Sequence, residues 1–213
     1  MGAFLVRSDV IGAVTDAHAG RGGPALRAWE DGDAEALVRH HGDPQMRRWL
    51  ATHLDSAEQA RAWIAEQNRG REAGSRVAFA VVEVTPGADR AGTADGVDRA
   101  GAADGAGGGG VPGEPVGHVA LTRTAGVVRV GYWTAASARG RGIASRALAL
   151  AAAWASAAPD SPFTGDRLEL VHAVGNDGSC RTALSGGFRA EGDLPAAPPE
   201  RPRAMHLHVY DRG

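Results

Sequence analysis

Arg139-Gly140-Arg141-Gly142 sets two guanidinium groups and two glycines in four consecutive positions, directly ahead of an alanine- and leucine-rich run. Ile143, Ala147, Leu150 and Trp154 recur at helical spacing, which predicts a helix starting near Gly142 or Ile143. A β-rich stretch ends just before the loop at Tyr132-Trp133-Thr134. A strand, a glycine loop and a helix N-terminus together make an anion site. The first-turn N–H groups lack intrahelical partners, the helix dipole favours negative charge there, and glycine lets a ligand approach the backbone. Arginine side chains can add charge-assisted bonds. No Gly-Lys-Ser/Thr follows, so this is not a nucleotide P-loop. Gly140-Arg141-Gly142-Ile143-Ala144-Ser145 also lacks the third glycine of a dinucleotide fingerprint.

Asn176 and Ser179 lie three residues apart in "VGNDGSCRTALSGGF". On residue type alone, Asn176 suits a turn leading into a helix and Ser179 suits a helix start. Cys180 has no His or Asp placed near it in sequence and reads as packing.

The elements that must position these residues follow from periodicity. A short strand is expected near Leu26–Trp29, then a helix over 33–42 capped by Asp33 and a helix over 56–69. Ser56 and Gln59 suit a capping box, and Gly70 and Gly74 suit the end of the second helix. Strands follow at 76–84, 116–123 and 127–134, the last two joined by the tight turn Thr124-Ala125-Gly126. A strand over 167–174, a helix from Ser179 to Leu184 closed by Gly186-Gly187, a strand from Phe188 and a final strand over 204–210 complete the order. This pattern is α+β, or mixed α/β. Residues 1–24 show no sustained period and read as a poorly ordered extension. Residues 85–114, dominated by Gly, Ala and Asp, cannot bury enough apolar surface to offset their ordering entropy. They read as a disordered insertion swelling one turn of a single domain over 25–213.

Composition sets the wider bounds. The 213 residues are 43% hydrophobic and carry a formal charge of −2, which gives no global attraction to DNA or acidic membranes. All 23 basic residues are arginine, a compositional bias that lowers the weight of any single one. The lone cysteine suits a reducing cytoplasm, and no apolar run approaches the ~18 residues of a membrane helix. A nucleic-acid reading of Arg139, Arg141 and Arg146 lacks interleaved aromatics and a basic flank.

Arg139-Gly140-Arg141-Gly142-Ile143-Ala144 resembles the R/Q-x-x-G-x-G/A signature of the GNAT family of acyl-CoA-dependent N-acetyltransferases. "VGYWTAASARGRGIASRAL" is similar to the strand-loop-helix of the RimJ/RimL branch. Asn176, Ser179, Gly187, Phe188, Glu191 and Gly192 match that branch's following segment. The resemblance spans roughly residues 25–84 and 115–211. It implies a splayed, mostly antiparallel central sheet flanked by helices, opening between the fourth and fifth strands to hold acetyl-CoA as cosubstrate, with no metal. Residues 139–144 would wrap the pyrophosphate, Tyr132, Trp133 and Thr134 would pair with the pantetheine amides, and Asn176 and Ser179 would flank the thioester.

The resemblance also makes Ser179 the proton donor to the leaving thiolate and puts Glu200 near the place of a glutamate base, about two residues out of register. Many relatives carry a glutamate where this chain has Arg129, and a helix tyrosine of other branches is replaced around Leu184. His118, Glu169 and His172 lie on strands that could face the cleft, and water could instead take the amine proton. The implied activity is acetyl transfer to a primary amine, either a protein N-terminus or a small molecule. The alternatives are an aminoglycoside-type antibiotic acceptor and a non-catalytic acyl-CoA-binding domain. A homodimer is compatible with the sequence; nucleic-acid and membrane partners are not expected.

Overall fold

The computed structural model describes residues 23–84 and 113–210. The expectations of a disordered extension and insertion therefore fall almost wholly on residues outside the described ones. Among the described residues, seven strands form one sheet: β1 (Gly23–Arg27), β2 (Arg76–Val84), β3 (Gly117–Thr124), β4 (Val127–Thr134), β5 (Arg167–Ala173), β6 (Phe188–Leu194) and β7 (Met205–Tyr210). Their order is β1-β2-β3-β4-β5-β7-β6. Every pairing is antiparallel except β4 with β5, which are joined by a helical crossover. The helices are α1 (Ala34–His41), α2 (Pro44–Trp49), α3 (Ala57–Glu72), α4 (Ile143–Ala157) and α5 (Asp177–Ser185). The result is the mixed α+β, mostly antiparallel sheet expected.

Both faces of the sheet are covered, and the period of two divides the core in β2. Val77, Phe79 and Val81 join Val119, Leu121, Val128 and Val130 against Leu148, Ala151 and Trp154 of α4. Ala78 and Ala80 face the other way, with Ala120 and Trp133, onto Leu37 of α1 and Ala60 and Ile64 of α3. Small residues on this second face leave room for the large ring of Trp29, only 2% exposed.

Local expectations were corrected in four places. β1 spans Gly23–Arg27 and ends before Trp29, whose ring is buried in a cluster with Ala34 and Leu37 of α1. Asp33 does not cap α1 with its side chain. It sits in helical conformation, accepts from the Glu30 N–H (3.0 Å), and makes a bidentate pair with Arg27 at 2.7 Å. α3 passes through Gly70 and stops at Glu72, ahead of Gly74 at φ +66°. Ser56 does cap α3, accepting from the Gln59 N–H at 3.2 Å, but Gln59 returns its bond to the Asp55 N–H. The short helix α2 was not anticipated at all, although Asp43 caps it and Pro44 occupies its first turn.

Candidate active site

The sheet opens at one place. β4 pairs with β5 only from Val127–Arg167 to Val130–Leu170, while Gly131–Thr134 remain paired with β3 on the other side. The second half of β4 thus has one free edge, and a cavity of about 490 Å³ lies beside it. Tyr132, Trp133 and Thr134 supply one wall. The glycine loop and first turn of α4 supply the next, with Arg139, Gly140, Gly142, Ile143 and Ala144. Asn176 and Ser179 stand on α5 opposite β4. These ten sequence-predicted residues therefore surround one space.

Two others do not line it. Arg141 turns away to pair with Glu83 of β2, and Glu200 is exposed in the loop between β6 and β7. Arg139 lines the cavity while pairing with Asp43, which ties the loop to the cap of α2 and holds the Asp43 carboxyl below its usual range. Sequence reasoning missed Arg181, Thr182 and Ser185, which α5 places on the same wall. Helical spacing from Gly178 was the available signal.

The loop is built to leave N–H groups free. Gly140 and Gly142 both take positive φ, +72° and +71°, a conformation that turns the chain sharply into α4. Gly142 caps α4 with no side-chain bond, and no acidic residue occupies the first turn. Two arginines and no carboxylate line the cavity among the described residues. Its electrostatics suit an anion.

At the far end, Tyr132 Oη and Ser179 Oγ lie 2.8 Å apart. Ser179 is fixed from behind, because its own N–H donates to Asn176 Oδ1 at 3.2 Å. Asn176 is the helix cap, so one side chain starts α5 and aims the hydroxyl.

A second cavity of about 180 Å³ shares Leu50, Tyr132 and Trp133 with the first. His41, Trp63, Arg76 and His118 complete much of its wall. His118 lies under an aromatic cluster, 5.2 Å from the Trp63 ring and 6.0 Å from Trp133. It accepts the Trp29 indole N–H at Nδ1 (3.1 Å), and burial pushes its pKa down to about 3. Burial likewise takes His41 down to about 4. Glu169 and His172, the other strand candidates, line neither cavity. Glu169 is held by Arg129 (2.7 Å) and Arg167 (2.8 Å) across β4 and β5. No helix among the described residues is long and apolar enough to cross a membrane.

The family model for the acetyltransferase (GNAT) domain matches residues 25–189. The chain belongs to the GNAT family. Acetyl-CoA is the cosubstrate of this family. Its fold is similar to that of the microcin C7 self-immunity acetyltransferase MccE, solved with acetyl-CoA and AMP. That likeness has a TM-score of 0.64 and 16% identity, over 88% of this chain and 91% of that one. The ribosomal L7/L12 N-acetyltransferase RimL, solved with coenzyme A, gives 0.64 and 16% over 88% and 93%. RimJ of Mycobacterium smegmatis, solved with a CoA disulfide, gives 0.59 and 21% over 87% and 80%. No curated protein matches the sequence significantly. RimJ/RimL-like structures are thus among the GNAT folds that this chain shares.

Proposed function

We propose that this GNAT domain transfers the acetyl group of acetyl-CoA to a primary amine, by direct attack of the amine on the thioester. The observation that carries the reading is the Tyr132–Ser179 hydroxyl pair at the open end of β4, where the two cavities meet. In this reading the pyrophosphate lies on the N–H groups around Gly142–Ala144. The free edge of Gly131–Thr134 pairs with the pantetheine amides and presents backbone N–H groups to the oxyanion. As the C–N bond forms and the C–S bond breaks, Ser179 gives its proton to the departing thiolate; the nitrogen sheds its surplus proton to water, and Tyr132, hydrogen-bonded to Ser179, returns one from solvent to the serine.

The amine enters from the smaller cavity and must be neutral to attack. His41 and His118, at about 4 and about 3, are too weak to serve as bases, and no carboxylate lines this cavity among the described residues. Arg76 lines it and disfavours an ammonium, so the amine loses its proton to water. Glu200, exposed and outside both cavities, has no part in this step. The same positive charge supports a monoamine, a peptide N-terminus or small metabolite, over a polycationic antibiotic acceptor.

A thiol-release assay with acetyl-CoA against pooled amines and N-terminal peptides tests the reading. Ser179→Ala and Tyr132→Phe are each expected to lower kcat by roughly 10²-fold or more while leaving CoA affinity within about threefold. Glu200→Gln should leave the rate nearly unchanged. Tight CoA binding with no thiol release over the whole panel would favour a non-catalytic acyl-CoA-binding domain instead.

A further inference from the structure

Away from both cavities, three histidines and the single cysteine of the chain meet at one point. His206 and His208 are two residues apart on β7, so their side chains share a face. β5 runs antiparallel to β7 and sets His172 directly opposite His206. Cys180 comes from the first turns of α5, which packs on these strands. One ring nitrogen of each histidine and the cysteine Sγ all lie within 4.8 Å of one another.

We propose that His172, Cys180, His206 and His208 form a binding site for one borderline-soft divalent cation, zinc by preference, that fastens the start of α5 to β5 and β7. The donor set selects the metal class, since three imidazoles and a thiolate suit zinc and offer nothing to magnesium or calcium. The geometry is close to what zinc requires. His172 Nε2 and His208 Nε2 are 3.1 Å apart. At zinc–nitrogen bonds of about 2.05 Å, that separation subtends roughly 100°. A tetrahedral site places its donors about 3.3–3.6 Å apart, so a pair at the 4.8 Å limit must close by about 1.2–1.5 Å. His206 and Cys180 are the partly exposed members and have the freedom to do so.

The buried pair is already oriented. His172 Nδ1 donates to the Ala173 carbonyl at 3.1 Å, which leaves its Nε2 lone pair directed at the cluster. A simple hydrogen bond between the two rings uses one nitrogen of each and gives no role to His206 or Cys180. The Asp193 carboxylate, 3.7 Å from His206 Nε2, is placed as an outer partner for that ring. Binding displaces the Cys180 thiol proton to solvent, leaving a thiolate–zinc bond. None of the four residues lines the acetyl-CoA cavity, so the ion takes no part in acyl transfer. It acts on the turn that carries Ser179, the neighbour of Cys180.

The test uses the untagged full-length protein, stripped with chelator and titrated with Zn²⁺ against a chromophoric competitor. One equivalent should bind with a Kd below about 1 µM. At hundredfold excess over Kd, zinc should raise Tm by roughly 5–10 °C. Co²⁺ should give a thiolate-to-cobalt charge-transfer band that is absent in Cys180→Ser. Cys180→Ser and His206→Gln, both at partly exposed positions where folding can be checked by circular dichroism, should each weaken zinc by at least about tenfold. His40→Gln should not. No tight equivalent, or binding unchanged in either ligand variant, overturns the site.

Discussion

Gly142 does what no other residue type does at its position. Its φ of +71° turns the chain into α4, and an added Cβ would lie 2.9 Å from the Arg146 guanidinium, a flexible end that can move. The cost of a side chain there is therefore backbone strain, about 1–3 kcal/mol, and more for a β-branched residue. Gly140 has the same backbone sign with open space around it, so Gly140→Ala isolates the strain from any clash. Arg141 is spent on Glu83. Gly142→Val should abolish measurable CoA binding by calorimetry, Gly140→Ala should weaken it by roughly tenfold, and Arg141→Ala by less than about threefold. A more damaging arginine change would mean that charge, and not the backbone cradle, holds the phosphates. This loop was legible in the sequence because all its parts are neighbours in the chain. The Tyr132–Ser179 contact and the His–Cys cluster were not, because each depends on strand register and on the docking of α5.

At the scale of elements, the helices α1 and α3 meet β3 through a mixed aromatic and histidine layer whose protonation state is fixed by packing. His118 accepts the Trp29 N–H, so a proton on Nδ1 would set two donors against each other. Burial lowers His41 and His118, and it also lowers His172 and His208. The unfolded chain takes up these protons near pH 6.5, whereas the folded chain resists until about 4 for His41 and about 3 for His118. Stability from these groups is thus fully present above pH 6.5, declines as pH falls below it, and is wholly lost once pH has fallen through the folded values. Urea unfolding at pH 7, 6 and 5 should show this decline, and His118→Gln, which can still accept from Trp29, should flatten it by about 1 kcal/mol per pH unit. An unchanged slope would mean that His118 titrates normally in the fold. Strand β2 could be read from its β-rich composition, and β3 and β4 from the turn between them, where the two positive φ values of Ala125 and Gly126, +48° and +82°, suit a two-residue hairpin. α2, six residues long, carries too little periodicity to be seen, and its Asp-Pro start was the one clue.

For the whole molecule, the sheet is continuous across the longest interruption in its sequence pattern. β2 and β3 pair from Arg76–Thr122 up to Val81–Gly117, and the Val116 N–H extends the ladder by donating to the Val81 carbonyl at 2.8 Å. Gly113 then lies beside Glu83, since a Cβ added to it would be 3.6 Å from the Glu83 carbonyl oxygen. Chain therefore leaves and re-enters the domain at adjacent points, on the edge of β2 that Arg141 reaches through Glu83. Neither cavity is lined by residues 113–116. The domain reading, one unit with an insertion in a hairpin, then has a direct consequence. Replacing residues 85–112 by a four-residue turn joins strand ends that are already neighbours, and the loop-closure term changes by only about 2 kcal/mol in favour of the shorter chain. The shortened protein should keep CoA affinity within about twofold and match or exceed the parent Tm by a few degrees, measured by calorimetry and thermal unfolding. A loss of affinity with Tm retained would assign the segment to the binding site, and a fall in Tm would assign it to the fold.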